Sequence, residues 1–255
     1  MKAVASAARH RSPLVTIAKR LRDEVSDLTF GPPVRHVYNP LDYGWRAHAE
    51  YLERFATGTR DVLIVGMNPS YFGMVQTGVP FGDVEIVREW LGIRTPVRRP
   101  RDEHPKRPIA GDACRRRDMS GVRLWGWAQQ HFDTAERFFT RFFVHNYCPL
   151  CFLEQGGANR TVDKLPARER EPLFVACDRA LRDSADAMGV RYAIGLGRFA
   201  ARRVADVLDD AIRCGSAAHP SPANARAGSS WAAEMDRALA ALGAPVTAKR
   251  SHDRR

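Results

Sequence analysis

Apolar positions along this chain follow two rhythms. Leu14, Ile17, Leu21, Val25 and Leu28 recur at three- and four-residue spacing, which is one face of an α-helix. Ser12 can cap that helix and Pro13 suits its first turn. The same spacing predicts a helix after Asp83, with Val84, Val87 and Trp90–Leu91 on one face and Gly92 as its stop. It predicts further helices over 166–188, through Leu173, Cys177, Leu181, Ala185 and Met188, and over 198–208. A last helix is predicted over 230–242, through Trp231, Met235, Leu239 and Leu242. The second rhythm is the short unbroken apolar run. "DVLIVGM", "RFFVHNY" and "RYAIGLG" read as strands buried on both faces, and 212–218 as a short fourth strand.

Strands that alternate with helices predict a parallel sheet covered on both faces. In such sheets a ligand sits beyond the C-terminal ends of the strands. Three strands empty there into polar, turn-rich text: "GMNPSYFG" at 66–73, "HNYCPL" at 145–150 and "AHPSPAN" at 218–224. Between the first two lies a basic stretch without periodicity, 94–117, with nine Lys or Arg and four Pro. Loops of that length are commonly functional or disordered.

The 255 residues suit one domain, expected over 12–245, with basic tails at 1–11 and 246–255. Forty basic residues against 29 acidic ones give a formal charge of +11, an excess that favours a polyanionic partner such as nucleic acid. Five cysteines with a single C-x-x-C, Cys148 to Cys151, lack the second pair that a zinc or iron–sulfur site needs. No metal or cofactor is therefore expected, and the thiols read as reduced core residues of an intracellular protein. No apolar run approaches a membrane span and the N-terminus has no apolar signal region, so neither a membrane nor secretion is expected.

The side chains at the strand ends limit the chemistry. Asn68, Asn146, His219 and Phe81 stand there with no acid among them. There is no Gly-x-Ser-x-Gly elbow and no P-loop. An amide can match the edge of a base, a ring can stack on its face, and an imidazole can donate to an oxygen that gains negative charge. Taken singly, each has a structural alternative as a turn former, a loop ring or a core histidine.

The motif "GMNPSYFGMVQTGVPFGDV" resembles motif 1 of the single-strand-selective monofunctional uracil-DNA glycosylases, family 3 of the uracil-DNA glycosylase superfamily. The likeness continues in "VREWLGI", "EHPKRPIAG", "SGVRLWGWA", "FFVHNYCPLCFL", "ANRTVDKLP" and "HPSPAN", and covers residues 14–242. It implies a three-layer α/β/α sandwich around a short, mainly parallel four-stranded sheet. It implies a DNA repair enzyme, acting as a monomer without cofactor, that flips uracil out of single- or double-stranded DNA and hydrolyses its N-glycosidic bond. Such an enzyme would work in the cytoplasm, at the nucleoid, of a bacterium or in the nucleus of a eukaryote. By position, Asn68 matches the residue that holds water, His219 the one that stabilises the departing base, Asn146 the one that reads its edge and Phe81 the one that stacks on it. The Met67 backbone lies in the same wall. A wedge loop begins at Ser221 and Pro222.

Two departures stand out. Ser70-Tyr71 replaces the family's Gly-Pro, which adds a Cβ and a hydroxyl beside the C5 edge of a pyrimidine. Ala223 stands where the family often has the wedge arginine. With Asn224 beside it, the nearest basic residue able to serve is Arg226.

Overall fold

The computed structural model describes residues 12–222 and 231–246. The amphipathic N-terminal stretch forms α1 (Pro13–Ser26). Ser12 caps it, accepting from the Leu14 N–H and donating to the Ala56 carbonyl at 2.7 Å. The four apolar runs form β2 (Val62–Gly66), β3 (Phe142–Asn146), β6 (Tyr192–Leu196) and β7 (Arg213–Ala217). They hydrogen-bond in the order β3-β2-β6-β7, all parallel, so all four C-terminal ends point the same way. Two parallel strands are a crossover apart, and the helices α8 (Ala167–Met188) and α9 (Arg198–Val207) supply crossovers here.

Alternation along β3 shows how both faces are covered. Phe142 packs against Trp127 of α6 (Met119–His131), ring centroids 5.8 Å apart. Phe143, on the opposite face, packs 5.3 Å from Tyr51 of α3 (Trp45–Phe55). The result is the expected α/β/α arrangement, with a continuous aromatic core of Tyr51, Phe55, Trp125, Trp127, Phe138, Phe139, Phe142 and Phe143.

A second sheet was not foreseen in the pattern. It joins β1 (Val34–Tyr38), β4 (Cys151–Glu154) and β5 (Asn159–Arg160) in that order, antiparallel throughout. The remaining short helices are α2 (Pro40–Tyr43), α4 (Met74–Thr77), α5 (Val84–Glu89), which Asp83 caps, and α7 (Ala135–Phe139). The last described helix is α10 (Trp231–Ala241), and Val246 beyond it is buried. The stretch 94–117 is largely without regular structure, as its sequence suggests. No described helix is long and apolar enough to cross a membrane.

Candidate active site

The site opens at the C-terminal edge of the parallel sheet. Strands β2 and β3 stay paired past their ends: Tyr147 N–H donates to the Gly66 carbonyl and Cys148 N–H to the Met67 carbonyl, both at 2.9 Å. This holds Met67-Asn68 beside Asn146. The Asn68 Nδ2 donates to the Leu150 carbonyl at 3.2 Å, which leaves Oδ1 as the acceptor that the amide can offer. Asn146 is buried, with Nδ2 on the weak acceptor Met74 Sδ at 3.4 Å. A stronger acceptor on a ligand can displace that contact.

Phe81 comes from the loop between α4 and α5 and takes the left-handed conformation, φ 53°. That costs a non-glycine residue about 1–3 kcal/mol and needs support from its surroundings. The support is present. The Phe81 carbonyl accepts from Trp125 Nε1 at 3.0 Å and from Asp83 N–H at 2.9 Å. Gly121 permits this approach, since a Cβ there would lie 2.1 Å from the same carbonyl.

His219 follows β7, with its ring 6.1 Å from that of Phe81. Its Nδ1 accepts from the Ser221 N–H at 3.1 Å, which places the proton of the neutral ring on Nε2. Burial lowers its pKa, so the ring is neutral near pH 7. Three contacts hold the surrounding chain. Glu234 accepts from the Ala218 N–H at 3.0 Å, Trp231 Nε1 donates to the Ala218 carbonyl at 2.7 Å, and Arg123 donates to the Pro220 carbonyl at 2.9 Å.

These residues line one cavity of about 330 Å³: Met67, Asn68, Ser70, Phe81, Asn146, His219 and Ser221 all contribute. Its size suits a single heterocycle. Every base-pocket residue expected from the sequence is thus brought together. The strand ends that supply them are not all neighbours, because β6 separates β7 from β2. Of the expected wedge, Ser221 lines the cavity and Pro222 is exposed, while Ala223, Asn224 and Arg226 lie outside the described residues.

The strand ends offer no acid, but one reaches the cavity wall from elsewhere. Asp118, the residue before α6, lines the same cavity and is almost fully buried. Burial pushes its carboxyl up to about 6, against the pull of the Ser70 hydroxyl and the Ser120 and Gly121 N–H groups. Ser120, Asn159 and Thr161 complete the wall. Asp118 belongs to no motif singled out in the sequence, and no helix was expected after it. Asn159 and Thr161 belong to the "ANRTVDKLP" stretch, which carried likeness but no assigned role. Among the described residues no three His, Cys, Asp or Glu side chains are grouped to hold a metal ion.

The chain is similar to known proteins over most of its length. The sequence model of the uracil DNA glycosylase superfamily matches residues 53–243. A single-strand selective monofunctional uracil DNA glycosylase of Mus musculus is 45% identical over 227 residues, which is 88% of this chain and 81% of the mouse protein. The protein of the same name from Bos taurus is 44% identical, covering 88% of this chain and 84% of its own length. The crystal structure of wild-type Pedobacter heparinus SMUG2 shares the fold at a TM-score of 0.61 and 19% identity, covering 89% of this chain and 98% of that one. The family match takes in all four strands of the parallel sheet and every cavity-lining residue, and the chain belongs to the uracil DNA glycosylase superfamily.

Proposed function

We propose that this protein is a monofunctional uracil-DNA glycosylase, which hydrolyses the bond between uracil N1 and the deoxyribose C1′ and leaves an abasic site. The observation that carries this reading is the convergence of Asn68, Phe81, Asn146 and His219 on one cavity, in a chain of this superfamily. The uracil swings out of the stack at a cost of a few kcal/mol and lies against Phe81. Asn146 reads its edge, accepting from N3–H and donating to O4. As the glycosidic bond breaks, its electron pair stays on uracil, and negative charge grows on O2. The neutral His219 donates from Nε2 to that oxygen. A preorganised donor of this kind is worth roughly 3–4 kcal/mol.

Water supplies the new C1′–O bond. Asn68 Oδ1 accepts one of its hydrogens and aims its lone pair at C1′. An amide takes no proton near neutrality, so Asn68 positions the water rather than deprotonating it. The departing proton goes to solvent. The substrate is uracil-containing DNA, single- or double-stranded, bound by one copy of the chain; the mouse and cattle relatives carry single-strand selectivity in their names. The net charge of +11 supports contacts to phosphates. All five cysteines are free thiols, which supports a reducing compartment, the cytoplasm or the nucleus.

The test is an end-labelled oligonucleotide with one uracil, incubated with the protein and treated with hot alkali. Scission at the uracil position is expected, with no covalent adduct trapped by borohydride. An intact strand after prolonged incubation would leave a lesion-binding protein as the better description.

A further inference from the structure

The basic stretch 94–117 returns to the cavity at its end. Arg116 lies two residues before Asp118, and Phe72 two residues after Ser70; Asp118 and Ser70 both line the cavity. The two segments are packed together there, since a Cβ on Gly73 would sit 2.4 Å from both Ser70 Oγ and Asp118 Oδ2. Two residues span at most about 7 Å of chain, which is two base steps at ~3.4 Å each. A nucleotide next to one seated in the cavity is within reach of this rim. Cations and rings alternate along it. The Arg107 guanidinium lies 5.1 Å from the Tyr71 ring centroid and 5.8 Å from that of Phe72, and the Arg116 guanidinium lies 4.4 Å over the Phe72 ring. The inner members are pinned. Arg107 Nε donates to the Gly157 carbonyl at 2.8 Å, the Tyr71 hydroxyl donates to the Pro108 carbonyl at 2.6 Å, and the two rings meet edge-on at 4.8 Å. Arg116 is the exposed end of the series. Its neighbour Arg117 pairs with Asp83 and Glu85, whereas Arg116 is in no ion pair among the described residues.

We propose that Arg116, backed by Phe72 and by the Arg107–Tyr71 pair, is a stacking plate for an unpaired base next to the flipped nucleotide, so that this rim favours single-stranded DNA over duplex. A guanidinium stacks on a base as it does on an aromatic ring, and every base offers it a π-face. In a duplex the neighbouring base stays paired and does not swing to the rim. Tyr71 belongs to the departure from the family's Gly-Pro, so the inner half of the series is a feature of this chain. The proposal rests on the reading above, in which DNA presents a flipped nucleotide to the cavity.

The test measures Kd by fluorescence anisotropy for an oligonucleotide with one tetrahydrofuran abasic residue, single-stranded and as a duplex, so that no bond breaks during binding. Arg116→Ala should weaken single-strand binding about tenfold, the worth of one stacked base, and duplex binding less than about twofold. Duplex binding thus serves as the control for folding. Arg116→Lys keeps the charge without the plane and should lose nearly as much as Arg116→Ala. A second abasic residue, placed on each side of the first in turn, should abolish the Arg116→Ala effect on one of the two sides. Unchanged single-strand affinity in Arg116→Ala, or an equal loss on duplex, overturns the proposal. Full recovery in Arg116→Lys also overturns it, since Arg116 would then meet a phosphate. The DNA in these measurements holds no uracil, so the result is independent of catalysis. A natural protein that binds in the expected way yet releases no uracil would refute the glycosylase reading and leave the stacking plate standing.

Discussion

Gly66 is the residue at which strand geometry becomes chemistry. A Cβ there would lie 2.5 and 2.6 Å from ring carbons of Phe81 and 2.6 Å from Asn146 Oδ1. All three neighbours are fixed, Phe81 by its braced left-handed backbone and Asn146 by its strand. Gly66→Ala should therefore cost about 1–3 kcal/mol by overpacking and separate the two base contacts. Urea denaturation and KM should change together; a variant with native stability and native KM would show that the ring and the amide have room to move. The pocket residues Asn68, Phe81, Asn146 and His219 were legible because they end strands or sit in a motif with a recognisable likeness. The role of Gly66 was not, since it depends on a ring brought in from another loop. Asp118 was hidden for the same reason: its carboxyl enters the pocket only because α6 lays its first turn against Phe81.

The elements around His219 explain why it can act as a preset donor. Its segment continues β7, is pinned to α10 by Trp231 and Glu234, and is pinned to α6 by Arg123. Arg123→Ala removes a charged donor from the Pro220 carbonyl, a part-buried hydrogen bond worth about 1.5 kcal/mol. We expect kcat to fall about tenfold with KM little changed, since the loss falls on the placement of the transition-state donor rather than on base stacking. Arg123→Lys should restore part of it. Equal damage to KM would mean that Arg123 serves DNA binding instead. Most helices and strands with clean periodicity were legible before the structure, but α3 was not, although Ala47, Tyr51, Leu52 and Phe55 recur at helical spacing on its buried face. The helix α6 was not, because Gly121 and Gly126 weaken its helical propensity, and Gly121 is required by the close Phe81 carbonyl. The three-stranded sheet was missed because β5 has two residues and β4 four, too short for alternation to register.

At the scale of the whole molecule, two buried histidines couple stability to pH. His48 on α3 and His145 on β3 are both lowered to about 4, chiefly by burial. His48 Nδ1 lies 2.8 Å from the Gly78 carbonyl, and His145 Nε2 is sealed without a partner. Their folded pKa values lie below the unfolded value near 6.5. The unfolded chain thus binds more protons in the acid range, and stability present above pH 6.5 is lost as pH falls toward 4. Each group contributes on the order of 2–3 kcal/mol to this loss. Denaturation midpoints at neutral and acid pH should show the loss, and His48→Gln should reduce it; an unchanged slope would exclude His48 as a source. The charge of +11 makes a second molecular-scale expectation, that affinity for DNA falls steeply with salt while kcat at saturation does not. The central claim concerns bond cleavage, and the release of free uracil tests it most directly. Single-turnover reactions on a uracil-containing oligonucleotide, followed by mass spectrometry of the freed base, should yield uracil with the natural protein. Asn68→Ala and His219→Ala should each be roughly 100- to 1,000-fold slower. Failure of the natural protein to release uracil, or release at the natural rate by both variants, would contradict the account.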